Sequence, residues 1–204
     1  MKNVITVKGL KKSFGTNEVL KDINFVLPKG QNVAIMGRSG IGKSVLIKCL
    51  VNLVEPDGGD IDVLGVDIQL MEEDELNDLR KRVGYLFQGG ALYDSMTVRE
   101  NLEFPIRRTT LAENKNELNS NVEEVLDSVG LINAIDKMPA ELSGGMKKRV
   151  GLARSLILKP EIILYDEPTT GLDPVTANEI SELILQVQEK YKTSSIIVTH
   201  DLKC

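Results

Sequence analysis

Cysteine is scarce in this 204-residue sequence, which contains only Cys49 and Cys204. The two residues form no spacing pattern typical of a disulfide framework or a metal site. Cys49 also lies in an apolar segment, where a free thiol acts as a small hydrophobic group. The cysteine content therefore fits a protein of a reducing compartment.

Long hydrophobic runs are missing as well. The longest apolar stretch, Val45 to Val54, is interrupted by Lys48 and Asn52 and is far too short to span a bilayer. The first residues lack the apolar block and the small-residue cleavage site of a secretory signal. With 42% hydrophobic and 27% charged residues, the composition is that of a soluble globular protein with one substantial core. We expect a cytoplasmic protein.

An excess of positive charge is also absent, because the formal net charge is −5. This balance argues against a protein that coats nucleic acid, whose affinity rests mainly on phosphate neutralisation. The basic clusters Arg80–Arg82 and Arg107–Arg108 are interpreted as solvated helix faces. We expect no nucleic-acid partner.

What the sequence does contain is a phosphate loop, Gly37-Arg38-Ser39-Gly40-Ile41-Gly42-Lys43-Ser44. The loop follows a predicted strand and precedes the apolar segment Val45–Leu53, which we predict to be a helix. Backbone N–H groups of such a loop cradle phosphates, so Lys43 would reach the β and γ phosphates and Ser44 would ligate Mg²⁺. The predicted nucleotide contacts run from Gly37 to Val45.

Four nearly continuous apolar runs predict parallel strands that are covered by helices on both faces. They are Val33–Met36, Tyr85–Phe87, Ile162–Tyr165 and Ile196–Thr199. Each is followed at once by a residue suited to phosphate chemistry, namely Gly37, Gln88, Asp166 and His200. Because ligands of open α/β sheets bind beyond the carboxyl ends of the strands, we expect these four residues to converge on one site.

Asp166 and Glu167 stand side by side at a strand end, although adjacent carboxylates repel each other. Mg²⁺ and an attacking water supply a reason for the pair. Asp166 would hold the water shell of the metal, and Glu167 would orient and polarise the hydrolytic water as general base.

Other patterns complete the predicted architecture. Ile23, Phe25 and Leu27 alternate with their neighbours and predict half-buried antiparallel strands near the N-terminus. Thr97–Glu100 has the spacing of a capping box, and Ser143-Gly144-Gly145 opens a predicted helix whose N–H groups point toward an anion. We therefore predict one α/β domain, residues 1–204, with a nucleotide-binding core (1–88 and 159–204) and a helical lobe (89–158).

Leu142-Ser143-Gly144-Gly145-Met146, followed by the Asp166-Glu167 pair, resembles the signature of ATP-binding-cassette (ABC) ATPases. The resemblance runs from about Val4 to the last residues. It implies a P-loop NTPase core with a mainly parallel sheet, an antiparallel N-terminal β subdomain and a helical lobe. It also implies a dimer of two copies, in which Ser143, Gly144 and Gly145 of one copy close over the ATP held by the other.

The resemblance implies roles for further positions. Gln88 corresponds to the glutamine that links the Mg²⁺ site to the membrane partner, and His200 to the switch histidine that contacts the γ-phosphate. Phe14 resembles the aromatic that stacks on adenine, although a core aromatic is the alternative. Thr170-Gly171-Leu172-Asp173 resembles the loop that crosses the dimer interface, while Asp173 also has the pattern of a helix N-cap. Catalysis is thus expected of Glu167, His200 and Gln88, and metal ligation of Ser44, Gln88 and Asp166.

Two longer segments, Phe87–Asn101 and Leu142–Gly151, look like the ATPase subunit of bacterial phospholipid transporters of the maintenance-of-lipid-asymmetry type. The discriminating marks are Gly90-Ala91-Leu92 and Met146. The implied partners are membrane permease subunits and an Mce-domain lipid-binding protein, and the implied location is the cytoplasmic face of the inner membrane. Family members normally continue beyond the position of His200, so we expect a C-terminal truncation.

Three alternatives stay open. An ABC subunit would serve another cargo in an amino-acid importer or a lipoprotein-releasing exporter, because the membrane and periplasmic partners choose the cargo. A nucleotide-gated clamp on DNA or ribosomes is the second alternative, although the sequence has no coiled-coil insertion and no second cassette. A GTP switch is the third, because Asn114-Lys115-Asn116-Glu117 approximates the guanine-reading pattern Asn-Lys-x-Asp.

Overall fold

A computed structural model describes residues 2–109 and 114–200. Within these ranges the chain forms two four-stranded sheets that are flanked by helices. The strands are β1 (Asn3–Phe14), β2 (Asn17–Pro28), β3 (Asn32–Met36), β4 (Gly58–Val63), β5 (Val66–Asp67), β6 (Val83–Leu86), β7 (Ile162–Asp166) and β8 (Ser194–Thr199). The helices are α1 (Lys43–Cys49), α2 (Glu73–Lys81), α3 (Val98–Arg108), α4 (Lys115–Ser128), α5 (Gly144–Leu156) and α6 (Pro174–Tyr191).

The N-terminal strands form the antiparallel sheet that their alternating pattern predicts. Its strand order is β2-β1-β4-β5, and β1 pairs with both β2 and β4. Leu20 and Leu27 of β2 are buried, whereas Asn24 and Val26 are exposed. One face of this sheet therefore covers the core, as expected of a half-buried antiparallel sheet.

The second sheet is parallel, with strand order β3-β8-β7-β6, which confirms the interpretation of the four apolar runs. The register pairs Met36 with Thr199, Asp166 with Val198, and Leu86 with Tyr165. All four carboxyl ends therefore lie at one edge of the sheet, where the residues that follow each strand come together.

Helices cover both faces of the parallel sheet. Ile162 and Leu164 of β7 pack into the core shared with the antiparallel sheet and α1. Ile163 and Tyr165, which point the opposite way, pack into the core shared with α3 to α6. This arrangement explains why β7 is a continuous apolar run, since all five of its residues are buried, whereas Ala34 and Met36 of the edge strand β3 are exposed.

The helical segment between β6 and β7 contains α3, α4 and α5. The predicted capping box at the start of α3 is confirmed, because the Thr97 side chain accepts from the Glu100 N–H and the Glu100 carboxylate accepts from the Thr97 N–H. Helix α5 begins as predicted, with the Ser143 side chain accepting from the Met146 N–H at 3.2 Å. The division into a core and a lobe at residues 89 and 158 stays a prediction. In the described part of the chain, every helix is too short or too polar to cross a membrane.

The predicted end of the first helix is wrong. We expected a helix over Val45–Leu53, but α1 begins at Lys43 and ends at Cys49. Asn52 takes a left-handed conformation with φ of 51°. The Arg80 guanidinium, on α2, donates to the carbonyl oxygens of Val51 and Asn52, both at 3.1 Å. The Leu53 N–H donates to the Lys48 carbonyl at 2.9 Å, which closes the last turn of the helix around the left-handed Asn52. Arg80 then satisfies the two carbonyls that follow the helix, so the chain turns away although Leu53 and Val54 are still apolar.

Candidate nucleotide-binding site

The phosphate loop leaves the end of β3 and runs into α1. Its first residue is tied to the neighbouring strand, because the Gly37 N–H donates to the Thr199 carbonyl at 3.2 Å. Lys43, at the start of α1, folds back over the loop and donates to the carbonyls of Gly37 at 2.8 Å and Arg38 at 3.1 Å. The buried lysine thus places its ammonium group above the segment that would hold phosphates.

Gly42 shows why this loop needs glycine immediately before the lysine. Its φ is 105°, in a region that side chains rarely adopt. A Cβ atom there would also lie 2.5 Å from Cγ1 of Val19, which projects from β2. Any larger residue would displace either the loop or the β1–β2 hairpin.

Ser44 and Asp166 form the oxygen pair that was expected at a metal. The Ser44 hydroxyl donates to Asp166 Oδ1 at 2.6 Å, and the Tyr85 hydroxyl lies 3.4 Å from Asp166 Oδ2. A hydroxyl and a carboxylate are hard oxygen donors. Mg²⁺ is typically held by one or two such protein groups together with phosphate oxygens and water. The pair therefore fits Mg²⁺ bound jointly with a nucleotide.

Glu167 is the most extensively bonded side chain of the site. Its Oε1 lies 3.0 Å from Lys43 Nζ, and its Oε2 lies 2.5 Å from His200 Nδ1 and 3.0 Å from the Thr170 hydroxyl. Burial acts to raise the pKa of Glu167, but hydrogen bonds from Lys43, His200 and Thr170 outweigh it, so the net pKa is lowered. The carboxylate is ionised at neutral pH, as a general base must be.

One cavity of about 530 Å³ brings most of the sequence-predicted residues together. Gln88, Glu167 and His200 line it from the strand ends. The remaining predicted residues that line it are Phe14, Ser39, Gly40, Gly42, Lys43, Ser44 and Val45. Phosphate-loop residues, the adenine candidate and the catalytic candidates therefore share one space.

The signature residues are not among those that line this cavity. Ser143 and Gly144 are exposed at the start of α5. They lie beside the segment that precedes α6, since a Cβ atom on Gly144 would approach Leu172 at 3.6 Å. Asp173 caps α6 by accepting from the N–H groups of Val175 and Thr176 at 3.1 Å, which confirms its predicted capping role. A single copy thus keeps its signature away from its own phosphate loop.

Phe14 is 51% exposed at the end of β1, which is unlike a core aromatic. Lys12 Nζ lies 5.4 Å from the centre of its ring. Asp57 holds that lysine at 2.6 Å and also accepts from the Ser13 N–H at 2.6 Å. The ion pair of Lys12 and Asp57 therefore lies beside the exposed Phe14 ring at the cavity.

Replacing Asp57 with Asn is expected to destabilise the fold at neutral pH and to matter less in acid. Hydrogen bonds from Lys12 and from the Ser13 N–H lower the pKa of Asp57 from its ordinary 3.8. A lowered carboxyl pKa contributes stability above the unfolded-state pKa, and that contribution is lost as the pH falls through the folded-state pKa. Urea unfolding at a series of pH values measures this. The difference from wild type should be constant above about pH 5 and shrink below about pH 4.

Asp60→Asn, at an exposed position of the neighbouring strand β4, is the control for net charge. A pH-independent difference between wild type and Asp57→Asn would contradict the expected charge effect.

Three contributors to the site were not singled out from the sequence. Thr170 bonds Glu167, Tyr85 reaches Asp166, and the Lys148 ammonium donates to the backbone carbonyls of Gln88 and Glu167. The sequence does indicate burial of Lys148, because the small residues Gly151 and Ser155 follow it at helical spacing and small residues are typical of a closely packed helix face. Thr170 was named only as part of the loop expected at the dimer interface and Tyr85 only as part of a predicted strand, and neither pattern indicated contact with the acidic pair.

The guanine-like pattern has a structural role instead. Asn114 is the N-cap of α4 and accepts from the N–H groups of Asn116 and Glu117, both at 3.0 Å. The Glu117 carboxylate accepts in turn from the Asn114 N–H at 3.3 Å. This capping box uses the two side chains that a guanine site would need.

Comparison with known proteins agrees with this geometry. Residues 20–170 match the model of the family described as ABC transporter. The probable ribonucleotide transport ATP-binding protein mkl of Mycobacterium leprae is 43% identical over 198 residues, which cover 97% of this chain and 57% of that protein. The chain spans about half the length of the mycobacterial relatives it matches. The intermembrane phospholipid transport system ATP-binding protein MlaF of Haemophilus influenzae is 42% identical over 202 residues, covering 98% of this chain and 76% of that protein.

Among solved structures, the ATP-binding cassette MJ0796 matches with a TM-score of 0.87 and 32% sequence identity. The match covers 97% of this chain and 88% of the MJ0796 chain. That structure is described as a dimer in a post-hydrolysis state bound to ADP and Pi. The expected α/β cassette fold is thus confirmed.

Proposed function

Since this chain belongs to the ABC transporter family, we propose that it is the ATP-hydrolysing subunit of a membrane transporter. The observation that carries the proposal is Glu167, an ionised carboxylate that contacts both the phosphate-loop lysine and His200 at the cavity. A base, a phosphate-binding cation and a cavity lined by the phosphate loop are the parts that phosphoryl transfer to water requires.

Nucleotide binding would separate Glu167, the proposed base, from Lys43. Lys43 now pairs with Glu167 at 3.0 Å. The β and γ phosphates would take over this ammonium group, because they are stronger acceptors with more negative charge. Glu167 would then be free to orient a water, while His200 and Thr170 keep its Oε2 in place. Ser44, Asp166 and Gln88 would hold Mg²⁺, which neutralises phosphate charge when bound.

A second copy would complete the site. Ser143 and Gly145 stand at the N-terminus of the 13-residue helix α5, where first-turn N–H groups and the helix dipole favour an anion. Since they lie apart from the cavity of their own chain, the γ-phosphate of another copy is their expected ligand. The dimeric MJ0796 structure supports this assembly. Asp173 would then lie near the dimer interface, and Phe14 would stack on adenine.

The transporter that we propose moves phospholipid between membranes. The MlaF relative supports this cargo, together with Gly90-Ala91-Leu92 and Met146. The proposed partners are permease subunits and an Mce-domain lipid-binding protein, and the proposed location is the cytoplasmic face of the inner membrane. The mkl relative, named for ribonucleotide transport, makes another cargo the second candidate.

Co-purification of the full-length protein tests the cargo. The tagged protein is extracted gently from membranes of its native host, and the proteins and lipids that accompany it are identified by mass spectrometry. A permease, an Mce-domain protein and bound phospholipid are expected. A permease with a soluble solute-binding protein would overturn the phospholipid cargo but leave ATP hydrolysis standing, and absence of ATP turnover in the purified complex would overturn the enzyme itself.

A further inference from the structure

Lys148 is a buried cation that the proposed mechanism does not use. It lies on α5, one turn after the signature segment, and only 6% of its surface is exposed. Its ammonium group donates to the carbonyl oxygen of Gln88, just after β6, and lies 3.3 Å from the carbonyl oxygen of Glu167, just after β7. One side chain of the signature helix therefore contacts the backbone at two catalytic positions.

Burying the ammonium group of Lys148 costs free energy, so a lysine is a poor choice if the position only has to be filled. Burial lowers the pKa of Lys148, while the carboxylates of Asp166 and Glu167 act in the opposite direction. A well-packed apolar side chain often replaces a buried charge without loss of stability. A lysine at this position donates hydrogen bonds to two backbone carbonyls and is attracted by the carboxylates of Asp166 and Glu167. An apolar residue would have neither interaction.

Further residues of α5 contact the rest of the loop after β6. The Arg154 guanidinium donates to the Gly90 carbonyl at 3.1 Å. Gly151 allows the helix to approach, since a Cβ atom there would lie 3.1 Å from the Gly90 Cα atom and 2.8 Å from a Leu86 methyl group. The loop that carries Gln88 is therefore held to the signature helix at successive turns, and Lys148 extends this contact to Glu167.

The backbone of Glu167 depends on such support. Its φ is 49°, a left-handed conformation that is uncommon outside glycine and that persists at functional sites only when surrounding contacts enforce it. The Glu167 N–H donates to the Val198 carbonyl at 2.9 Å. Its carbonyl accepts from the Thr170 N–H at 3.2 Å and from Lys148. Lys148 is the contact that ties this peptide to the signature helix.

We propose that Lys148 is a positioning residue for ATP hydrolysis: it fixes the carbonyls of Gln88 and Glu167 from the signature helix, so that the base is aligned only when this helix is in place. The proposal rests on the proposed ATPase function. It means that closure of a second copy on the signature would be transmitted to the hydrolytic site of the same chain, through one side chain.

Steady-state ATP hydrolysis tests this role in the full-length protein purified with its membrane partner. Lys148→Met removes the donor with little change in volume. We expect kcat to fall at least about tenfold, because small displacements of a catalytic group cost up to about 100-fold, and KM for ATP to stay within about threefold. Lys148→Arg keeps a donor that reaches both carbonyls and should return kcat to within about threefold of wild type. Lys147→Met, at the partly exposed residue immediately before Lys148 on the same helix, is the matched control and should behave as wild type.

The possible results separate the two proposals. Equal kcat for Lys148→Met and Lys147→Met would overturn the role of Lys148 while leaving the ATPase intact. Parallel loss of kcat and of nucleotide binding, without rescue by arginine, would show that the lysine serves only the fold. If Lys148→Met does not fold, Lys148→Gln takes its place. Its amide group keeps a weaker donor, so its kcat should lie between that of the arginine variant and that of an inactive enzyme. A wild-type kcat for Lys148→Gln would refute the proposal. A wild-type complex that binds ATP without hydrolysing it would refute the proposed function, and the role of Lys148 with it.

Discussion

Glu167→Gln is expected to lower the ATP turnover number by about 10²–10⁴-fold while ATP binding is retained. The amide has nearly the same shape, and its single oxygen can still accept from the Thr170 hydroxyl in place of Oε2. The amide NH2 group then replaces Oε1 beside Lys43, whose ammonium group would bind the phosphates when ATP is present. It cannot take a proton from water at neutral pH, so only the hydrolytic step should suffer. Single-turnover hydrolysis and equilibrium binding of ATP, both in the full-length complex, separate the two effects.

Glu161→Gln is the matched control for this substitution. Glu161 lies immediately before the same strand, β7, at its opposite end, and pairs with Arg82 at the surface. An exposed ion pair contributes little to stability, so this variant should hydrolyse ATP at the wild-type rate. Wild-type turnover in both variants would show that Glu167 is not the base.

Lys43→Met is expected to weaken ATP binding by roughly 10–100-fold, because a hydrogen bond to a charged group contributes about 1.5–3 kcal/mol and each 1.4 kcal/mol is tenfold. The lysine is the cation that folds over the phosphate loop. Its loss would also leave the buried Glu167 carboxylate without its ammonium partner, so the pKa of Glu167 should rise in the variant. Calorimetric titration with a non-hydrolysable ATP analogue and Mg²⁺ measures the affinity.

Lys48→Met removes a lysine from the last turn of the same helix and controls for the loss of one positive charge. Its affinity should equal that of the wild type. If the two variants bound ATP equally well, Lys43 would not be the phosphate ligand.

The parallel strands and the phosphate loop could be predicted from sequence for a common reason. A strand covered on both faces has to be apolar throughout, and phosphate chemistry requires glycine, lysine and a hydroxyl at fixed spacing. Both constraints act over a few neighbouring residues, so the sequence shows them directly.

The remaining features depend on contacts between distant segments. Helix α1 ends before the left-handed residue Asn52, and Arg80, far along the chain, binds the carbonyls of Val51 and Asn52 that follow the helix. The placement of β8 between β3 and β7 follows from the packing of the whole sheet and leaves no local pattern. Lys148 belongs to a run of three basic residues, and although Gly151 and Ser155 indicate a closely packed helix face, the contacts that bury its charge come from segments distant in sequence.

The position of β7 has a consequence for the dynamics of the site. All five of its residues are buried, and it pairs with a strand on either side. Amide protons in such a central strand exchange with solvent only when much of the structure opens, whereas exposed helix starts and hairpin ends exchange through local fraying. Asp166 is the last residue of this strand and Glu167 follows it, whereas Ser143 and Phe14 are exposed at a helix start and a hairpin end, where we expect faster exchange. The acidic pair would hold its geometry through each catalytic cycle, and the motion would be confined to the parts that meet nucleotide and partner.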